Sequence, residues 1–153
     1  MVSQGSRKGH AAAQNYVGHL YNRGQVVEQD HAEAAKWYRK AADQGLAEAQ
    51  FNLGVLYANG QGVRQNQTEA ARWYRKASEA GDRNAQNNFG VVYAKGVGVP
   101  QNDVLAHLWF SLAALQGDAN AAVNRDVVVA RMTPSQIEQA QALAAAWKPM
   151  AGR

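Results

Sequence analysis

Gly54-Val55-Leu56-Tyr57 is followed along the chain by Trp73-Tyr74-Arg75-Lys76. The same two motifs occur on either side, as Gly18-His19-Leu20-Tyr21 with Trp37-Tyr38-Arg39-Lys40 and as Gly90-Val91-Val92-Tyr93 with Trp109-Phe110. Equivalent Gly, Tyr and Trp residues are 36 positions apart in each case. A fixed interval carried by several residue types at once indicates an array of repeated structural units. The sequence therefore predicts full units over 13–48, 49–84 and 85–120, and a partial, capping unit over 121–148.

Each unit contains two segments with helical periodicity. In the second unit, Leu53 and Leu56 lie on one helical face, and Gly60 follows where a helix can close through a left-handed residue. A second helix is predicted after Asn66, whose side chain can cap it, with Glu69 three positions further on. The predicted fold class is therefore all-α: an α-α superhelix, or solenoid, of helix-turn-helix repeats with a period of 36.

A glycine recurs inside each predicted first helix, at Gly18, Gly54 and Gly90. Glycine in a helix interior costs about 1 kcal/mol relative to alanine. We therefore expect another helix to approach so closely there that no side chain is tolerated. The tryptophans recur with the same period, which favours a place in the core of each repeat over a row that stacks on a ligand.

The composition excludes several classes of protein. The 153 residues include no cysteine, so disulfides, thiolate zinc sites and cysteine nucleophiles are excluded. No apolar run approaches the length of a membrane helix. Residues 1–12 are predicted to be a flexible tail, and 149–153 a second tail. The first ten residues do not resemble a signal peptide, although a signal removed earlier would leave a similar start, so the compartment stays open.

The formal net charge of +4 comes from 16 basic and 12 acidic residues. Basic residues cluster on the predicted second helices, at Lys36, Arg39, Lys40, Arg72, Arg75 and Lys76. Acidic residues lie three or four positions away, which gives the candidate pairs Glu33–Lys36, Arg39–Asp43, Glu69–Arg72 and Arg75–Glu79. This spacing is typical of surface ion pairs. It favours a solvated outer face over a nucleic-acid interface.

The repeat also resembles a known family. Residues 49–81 follow the pattern Ala-x-x-x-Leu-Gly-x-x-Tyr-x-x-Gly-x-Gly-Val-x-x-Asn, then Ala-x-x-Trp-Tyr-x-Lys-Ala and a closing Gly. This pattern is similar to the Sel-one-like repeat, a longer relative of the 34-residue tetratricopeptide repeat. Val26 departs from it, because glycine stands at the equivalent positions Gly62 and Gly98; we expect a different loop in the first unit.

The resemblance implies a protein-binding scaffold, without enzymatic activity or cofactor, whose first helices line a concave face. By analogy with tetratricopeptide grooves, the candidate binding residues are Asn15, His19, Asn22, Arg23, Phe51, Val55, Ala58, Asn59, Asn87, Val91, Ala94, Lys95, Asn124 and Val128. Together they would form a row of amides, an apolar belt and a basic edge. Asparagine amides can pair with the backbone of an extended peptide. The basic edge would favour an acidic or carboxylate feature.

The other chemistry that the sequence offers is limited. No two histidines have the spacing of metal ligands, and no Ser-His-Asp arrangement is evident. Some bacterial members of the family carry disulfides and were linked to β-lactam binding or hydrolysis, but this chain has no cysteine. A disulfide-free relative acting on β-lactam or cell-wall material, nucleic-acid binding on the outer face, and self-association through the uncapped N-terminal end stay open as alternatives.

Overall fold

The computed structural model describes the backbone of residues 4–150 and the side chains of residues 9–150. Within that range the chain forms eight helices and no strands. In chain order they are α1 (Gln4–Arg23), α2 (His31–Asp43), α3 (Ala47–Asn59), α4 (Gln67–Glu79), α5 (Arg83–Lys95), α6 (Asp103–Leu115), α7 (Ala119–Val129) and α8 (Pro134–Ala146). None of these helices combines the length and the apolar character that a bilayer crossing requires.

The predicted all-α solenoid is confirmed. Helices α1 and α2, α3 and α4, and α5 and α6 pack as pairs. The second helix of each pair also packs on the first helix of the next. Helices α3 and α5 begin at Ala47 and Arg83, two residues before the predicted unit boundaries. Each unit is therefore one helical hairpin, and stacking the hairpins buries apolar residues between successive units.

The predicted helix ends form as expected. Asp30, Asn66 and Asn102 accept hydrogen bonds from the backbone N–H groups three residues on, at 3.0, 3.0 and 3.1 Å. Gly60 and Gly96 have φ angles of 67° and 69° and close α3 and α5 in the left-handed conformation. Because these signals are local and periodic, they begin the second helices and end the first helices of successive repeats in the same way.

The recurring glycines lie against aromatic rings of the second helices. A Cβ atom built on them would lie 2.5–2.8 Å from a ring carbon, with Gly18 on Tyr38, Gly54 on Tyr74 and Gly90 on Phe110. The expected close approach is therefore confirmed, and the neighbour is the residue after each tryptophan. Trp73 and Trp109 are buried as predicted. Trp37 is only half-buried.

The loop of the first unit does not differ as expected. Val26 has a φ angle of 69°, close to the 71° of Gly62, and the backbone hydrogen bonds around the two residues match. A Cβ at Gly62 would lie 2.2 Å from the backbone of His31 in the preceding second helix. Among the described residues no helical pair precedes the first unit, and Val26 is 95% exposed. The same backbone therefore tolerates a side chain at Val26 and not at Gly62.

The N-terminal segment also differs from the prediction. Helix α1 begins at Gln4, so residues 4–12 of the predicted tail are helical. Ala11 is buried in the core of the first units, and His10 Nε2 lies 3.1 Å from Gln14 Nε2. Ala11 is the equivalent of Ala47, the first residue of α3, so α1 begins before the regular start of a first helix. Residues 1–3 and 151–153 of the two predicted tails lie outside the described residues.

The last helix, α8, packs chiefly on α6 instead of pairing with α7. Thr133 and Gln136 form a reciprocal capping box at its start. At its end the indole of Trp147 meets Trp109 at 6.1 Å in an edge-on arrangement. The chain then returns to the second unit, where the Met150 N–H donates to the carbonyl of Glu79 at 2.7 Å. The final segment thus covers the sixth helix and reaches the end of the fourth.

Candidate functional site

The predicted amide row does not form a free surface. Asn15 is 4% exposed and accepts a hydrogen bond from Asn52 at 3.1 Å. Asn87 accepts one from Asn124, also at 3.1 Å. These bonds join neighbouring first helices, α1 to α3 and α5 to α7. Asn15 is therefore unavailable to a ligand, whereas the half-buried Asn87 and Asn124 each retain an unused polar group in these pairings.

His19 is held at both ring nitrogens. Its Nδ1 lies 3.0 Å from the Tyr38 hydroxyl and its Nε2 lies 3.3 Å from Glu48 Oε1. Burial raises the pKa of Tyr38 to about 12. Because the Glu48 carboxylate only accepts, the tautomer that carries its proton on Nε2 leaves Nδ1 to accept from the Tyr38 hydroxyl. The Nε2–H then donates to the Glu48 carboxylate. This series of hydrogen bonds links α2, α1 and α3. It gives His19 a structural role that residue spacing alone did not reveal.

The amides near the helix ends, Asn22 and Asn59, also have partners. The Oδ1 of Asn22 accepts from His31 Nδ1 at 2.9 Å. The Nδ2 of Asn59 donates to Gln61 Oε1 at 3.4 Å. The first contact ties the end of α1 to the start of α2. The second is a long contact within an exposed loop, so Asn59 stays accessible.

The predicted apolar belt lies partly inside the core. Phe51, Val55 and Val91 are half-buried and pack against the larger core cluster, together with Ala58 and Ala94. The Phe51 ring lies 6.1 Å from the ring of Tyr74. These side chains present only one side to solvent. Substitution of Phe51 would therefore disturb packing as well as any binding surface.

The belt continues at residues that the sequence reasoning missed. Val123 and Val127 on α7 are 62% and 63% exposed. They lie 36 positions after Asn87 and Val91, so the period was sufficient to find them. The predicted rows instead ended at Asn124 and Val128, one residue further on. Val128 is buried. It lies two periods after the core residue Leu56 and occupies the equivalent position. Tyr16 on α1 is another exposed side chain that was missed.

The predicted basic edge is exposed at Arg23 and Lys95, the last residues of α1 and α5. A cation at a helix C-terminus complements the partial negative charge of the helix dipole there. Arg131 lies 36 positions after Lys95 and belongs to the same row, but its side chain already has partners. It pairs with Asp103 at 2.8 Å and donates to the Ala94 carbonyl at 2.7 Å. Arg23 and Lys95 are thus the exposed cations of this row that form no ion pair among the described residues.

The outer face has a different arrangement from the one predicted. Lys36 pairs with Glu33 at 3.6 Å and Arg72 with Glu69 at 3.0 Å, as expected. The other two arginines contact the next repeat instead of their predicted acidic neighbours. They donate to tyrosine hydroxyls, Arg39 to Tyr57 and Arg75 to Tyr93.

The two outer lysines lie over tryptophan rings of their own helices. Lys40 Nζ is 4.3 Å from the ring centre of Trp37, and Lys76 Nζ is 4.8 Å from that of Trp73. Both distances fall within the range of cation–π attraction. All six predicted outer cations therefore have partners within the chain.

A family model for the Sel1 (Sel-one) repeat matches residues 11–46, 47–82 and 83–118. The chain belongs to the Sel1 repeat family. Members are typically non-catalytic repeat scaffolds, and their repeats commonly mediate protein interactions. The matched units agree with the helical pairs, since the second and third begin where α3 and α5 begin.

Solved structures of similar proteins support the same fold. The c5321 protein, a protective antigen of uropathogenic Escherichia coli strains, is 37% identical to this chain, with a TM-score of 0.83. The match covers 90% of this chain and 29% of that protein. A Sel1 repeat protein from Oxalobacter formigenes is 36% identical with a TM-score of 0.78, over 94% and 61%. This chain thus spans less than two thirds of either protein. Cysteine rich protein B of Helicobacter pylori, at 21% identity and a TM-score of 0.61 over 78% and 96%, shares the fold. A search of curated proteins found no match.

Proposed function

We propose that this Sel1 repeat chain is a non-enzymatic adaptor that binds an extended segment of a partner protein along its first helices. The observation that carries the proposal is a row of side chains one period apart: His19, Val55, Val91 and Val127. The row runs from α1 to α7, and its last member is the most exposed. The half-buried Val55 and Val91 and the exposed Val127 form an apolar strip that is partly open to solvent, and such apolar patches are typical of interaction sites.

The polar groups beside the row fit an extended peptide. Asn87 and Asn124 bond to each other through one group each, which leaves a donor on Asn87 and an acceptor on Asn124. A peptide backbone offers both complementary groups. Arg23 and Lys95 lie exposed on the same first helices. The preferred partner segment is therefore extended, apolar at alternate positions, and acidic or ending in a carboxylate.

The test compares two substitutions at exposed apolar residues. Val127→Asp alters the proposed face, and Leu115→Asp alters a residue that is 79% exposed at the end of α6. Both proteins are checked for wild-type helical circular dichroism and are then used as bait in pull-downs analysed by mass spectrometry. Partners retained by wild type and Leu115→Asp, but lost by Val127→Asp, support the proposal. Identical partners for all three baits contradict it.

Phe51→Glu is a poorer probe than Val127→Asp. Phe51 packs against Tyr74 and the core cluster, so a buried carboxylate would destabilise the fold. Loss of binding in that variant would not separate a damaged surface from a damaged protein.

Nucleic-acid binding is disfavoured as a second function, because the six outer cations have partners within the chain. Retention on duplex DNA that weakens steeply with salt would reverse this conclusion. No observation on the described residues supports action on β-lactams, which rests on the family resemblance alone. We expect no turnover of nitrocefin.

A further inference from the structure

A buried glutamine occupies the same place on each first helix. Gln14, Gln50 and Gln86 are 36 residues apart, and each is at least nine-tenths buried. In the second and third units the Nε2 group donates to a backbone carbonyl at the end of the preceding second helix. Gln50 donates to Ala42 and Gln86 to Ser78, both at 3.2 Å. The repeated amide thus ties consecutive units together, and its carbonyl oxygen also needs a donor.

In the first and third units a second glutamine supplies that donor. Gln44 Nε2 donates to Gln14 Oε1 at 2.5 Å, and Gln116 Nε2 donates to Gln86 Oε1 at 2.9 Å. The amide of Gln116 also donates to the Gly81 carbonyl at 2.9 Å. One primary carboxamide therefore fills the space and provides two hydrogen bonds.

The second unit lacks this glutamine. The equivalent residue is Ala80, whose methyl group can donate no hydrogen bond. Gln50 Oε1 is buried and accepts no hydrogen bond from any residue that the structure describes. An unpaired buried acceptor destabilises the folded state. Satisfying it requires a donor from outside these residues.

A pocket lies where the glutamine side chain would be. Its volume is about 390 Å³, and it is lined by Gln50, Ala80, Gly45, Asp43, Glu79 and Met150, among others. Gly45 is the counterpart of Gly81, which accepts from Gln116 in the third unit. Met150 is fixed there by the bond from its N–H to the Glu79 carbonyl. The pocket is thus lined by Gln50, whose buried Oε1 is unpaired, by Gly45 with its backbone carbonyl, and by the apolar side chain of Met150.

We propose that this pocket binds a primary carboxamide, as carried by a glutamine side chain of a peptide or by a small amide. One N–H of the bound amide donates to Gln50 Oε1 and the other to the Gly45 carbonyl, which reproduces the two bonds of Gln116. A guanidinium group also carries paired N–H donors, and Asp43 and Glu79 would attract it. The two glutamines in the neighbouring units are neutral, however, and Lys76 also lines the pocket, so the amide is the better fit.

The first experiment fills the pocket from within. Ala80→Gln recreates the arrangement of the first and third units. The new side chain is expected to satisfy Gln50 and to raise Tm by about 2–4 °C, the shift that follows from one buried hydrogen bond in a chain of this size. A lowered Tm would show that the second unit cannot accept the carboxamide and would overturn the proposal.

The second experiment measures binding to the full chain by ¹H–¹⁵N NMR. The probe is N-acetylglutamine N′-methylamide, and the matched probe is the methionine analogue, which has a similar length and no side-chain N–H. The glutamine probe alone is expected to cause saturable shifts at Gln50, Gly45 and Ala80, with Kd on the order of millimolar. The shifts should weaken at least about tenfold in Ala80→Gln, because the site is then occupied.

A control variant opens an equivalent pocket elsewhere. Gln116→Ala removes the donor to Gln86, so it should lower Tm and create new shifts around Gln86 with the glutamine probe. Two further probes separate the sources of the amide. A capped Ala-Ala-Gln-Ala-Ala peptide should bind more tightly than propionamide if the natural ligand is a peptide, and no more tightly if it is a small amide.

Three results would overturn the proposal. They are the absence of saturable shifts in the wild type, equal shifts in wild type and Ala80→Gln, and tighter binding of n-propylguanidinium than of the glutamine probe. Because none of His19, Val55, Val91 and Val127 lines the pocket, these results are independent of the proposed adaptor function.

Discussion

At Gly54 the absence of a side chain sets the distance between two helices. A Cβ there would lie 2.8 Å from Tyr74 Cε1 and 3.4 Å from the Ala70 carbonyl oxygen. We expect Gly54→Ala to destabilise the fold, because overpacking costs about 1–3 kcal/mol. The gain in helix propensity, about 1 kcal/mol, offsets only part of this. Urea denaturation measures the difference. Gly9→Ala is the control, since nothing lies within 4 Å of its added Cβ, and it should be neutral or stabilising.

Tyr38 makes a second prediction at the scale of one residue. Burial raises its folded-state pKa from 10.0 to about 12. The folded state then binds more protons than the unfolded state between these values, so stability falls as the pH rises from 10 to 12. Below pH 10 this contribution is fully present. Thermal melts across this range should show a smaller decline for Tyr38→Phe than for wild type. The exposed Tyr16→Phe should follow wild type; an equal decline in all three proteins would contradict the assignment.

Single residues also show what a sequence reveals about a site. The cap of Asn66 and the turn at Gly60 are local signals, so the sequence predicts them directly. In the sequence, a buried asparagine cannot be distinguished from an exposed one. Asn15 is buried and bonds to Asn52. Its partner is 37 positions away, and only the packing of neighbouring repeats decides which face it occupies. Predicted binding rows therefore fail first at polar residues that cross-link the units.

At the scale of elements, the helices and their order followed from periodicity, but the ends of the array did not. The first helix begins at Gln4, earlier than the repeat predicts. Helix α8 lies on α6 because the Trp147 indole meets Trp109. A repeat pattern describes how a unit meets identical neighbours. The first and last units have no such neighbour among the described residues, so the pattern carries no information about their outer surfaces.

The loop between α1 and α2 gives a prediction at this scale. Val26 adopts a positive φ, a conformation that costs a β-branched residue on the order of 1–2 kcal/mol. Glycine removes this strain, but its greater conformational freedom in the unfolded chain destabilises the folded state by about 0.5–1 kcal/mol. We expect Val26→Gly to raise Tm slightly. Val97→Gly, in the corresponding loop of the third unit, should lower it, because only Val26 has a positive φ among the described non-glycine residues. A lower Tm for Val26→Gly would contradict the conclusion that the backbone at Val26 is strained.

At the scale of the molecule, the core of the described residues divides into two clusters that meet in the second unit. One contains residues of α1, α2, α3 and Trp73, and the other extends from Ala70 to Val128. Tyr57 packs against both clusters and accepts a hydrogen bond from Arg39. In a solenoid each unit is stabilised mainly by its neighbours, so cooperativity depends on the interfaces between units. Tyr57 is therefore placed to couple the unfolding of the two clusters.

Tyr57→Ala should weaken that coupling more than it weakens either cluster. The side chain is half-buried, so we expect a loss of about 2 kcal/mol, below the 3–5 kcal/mol of a fully buried aromatic residue. We also expect the single urea transition to broaden or split, with hydrogen exchange accelerated first in α1 and α2, because the smaller cluster then opens separately. Tyr16→Ala, at an exposed position of α1, is the matched control. A sharp single transition and uniform exchange in Tyr57→Ala would show that the clusters are coupled through the helices themselves, most directly through the packing of α2 on α3.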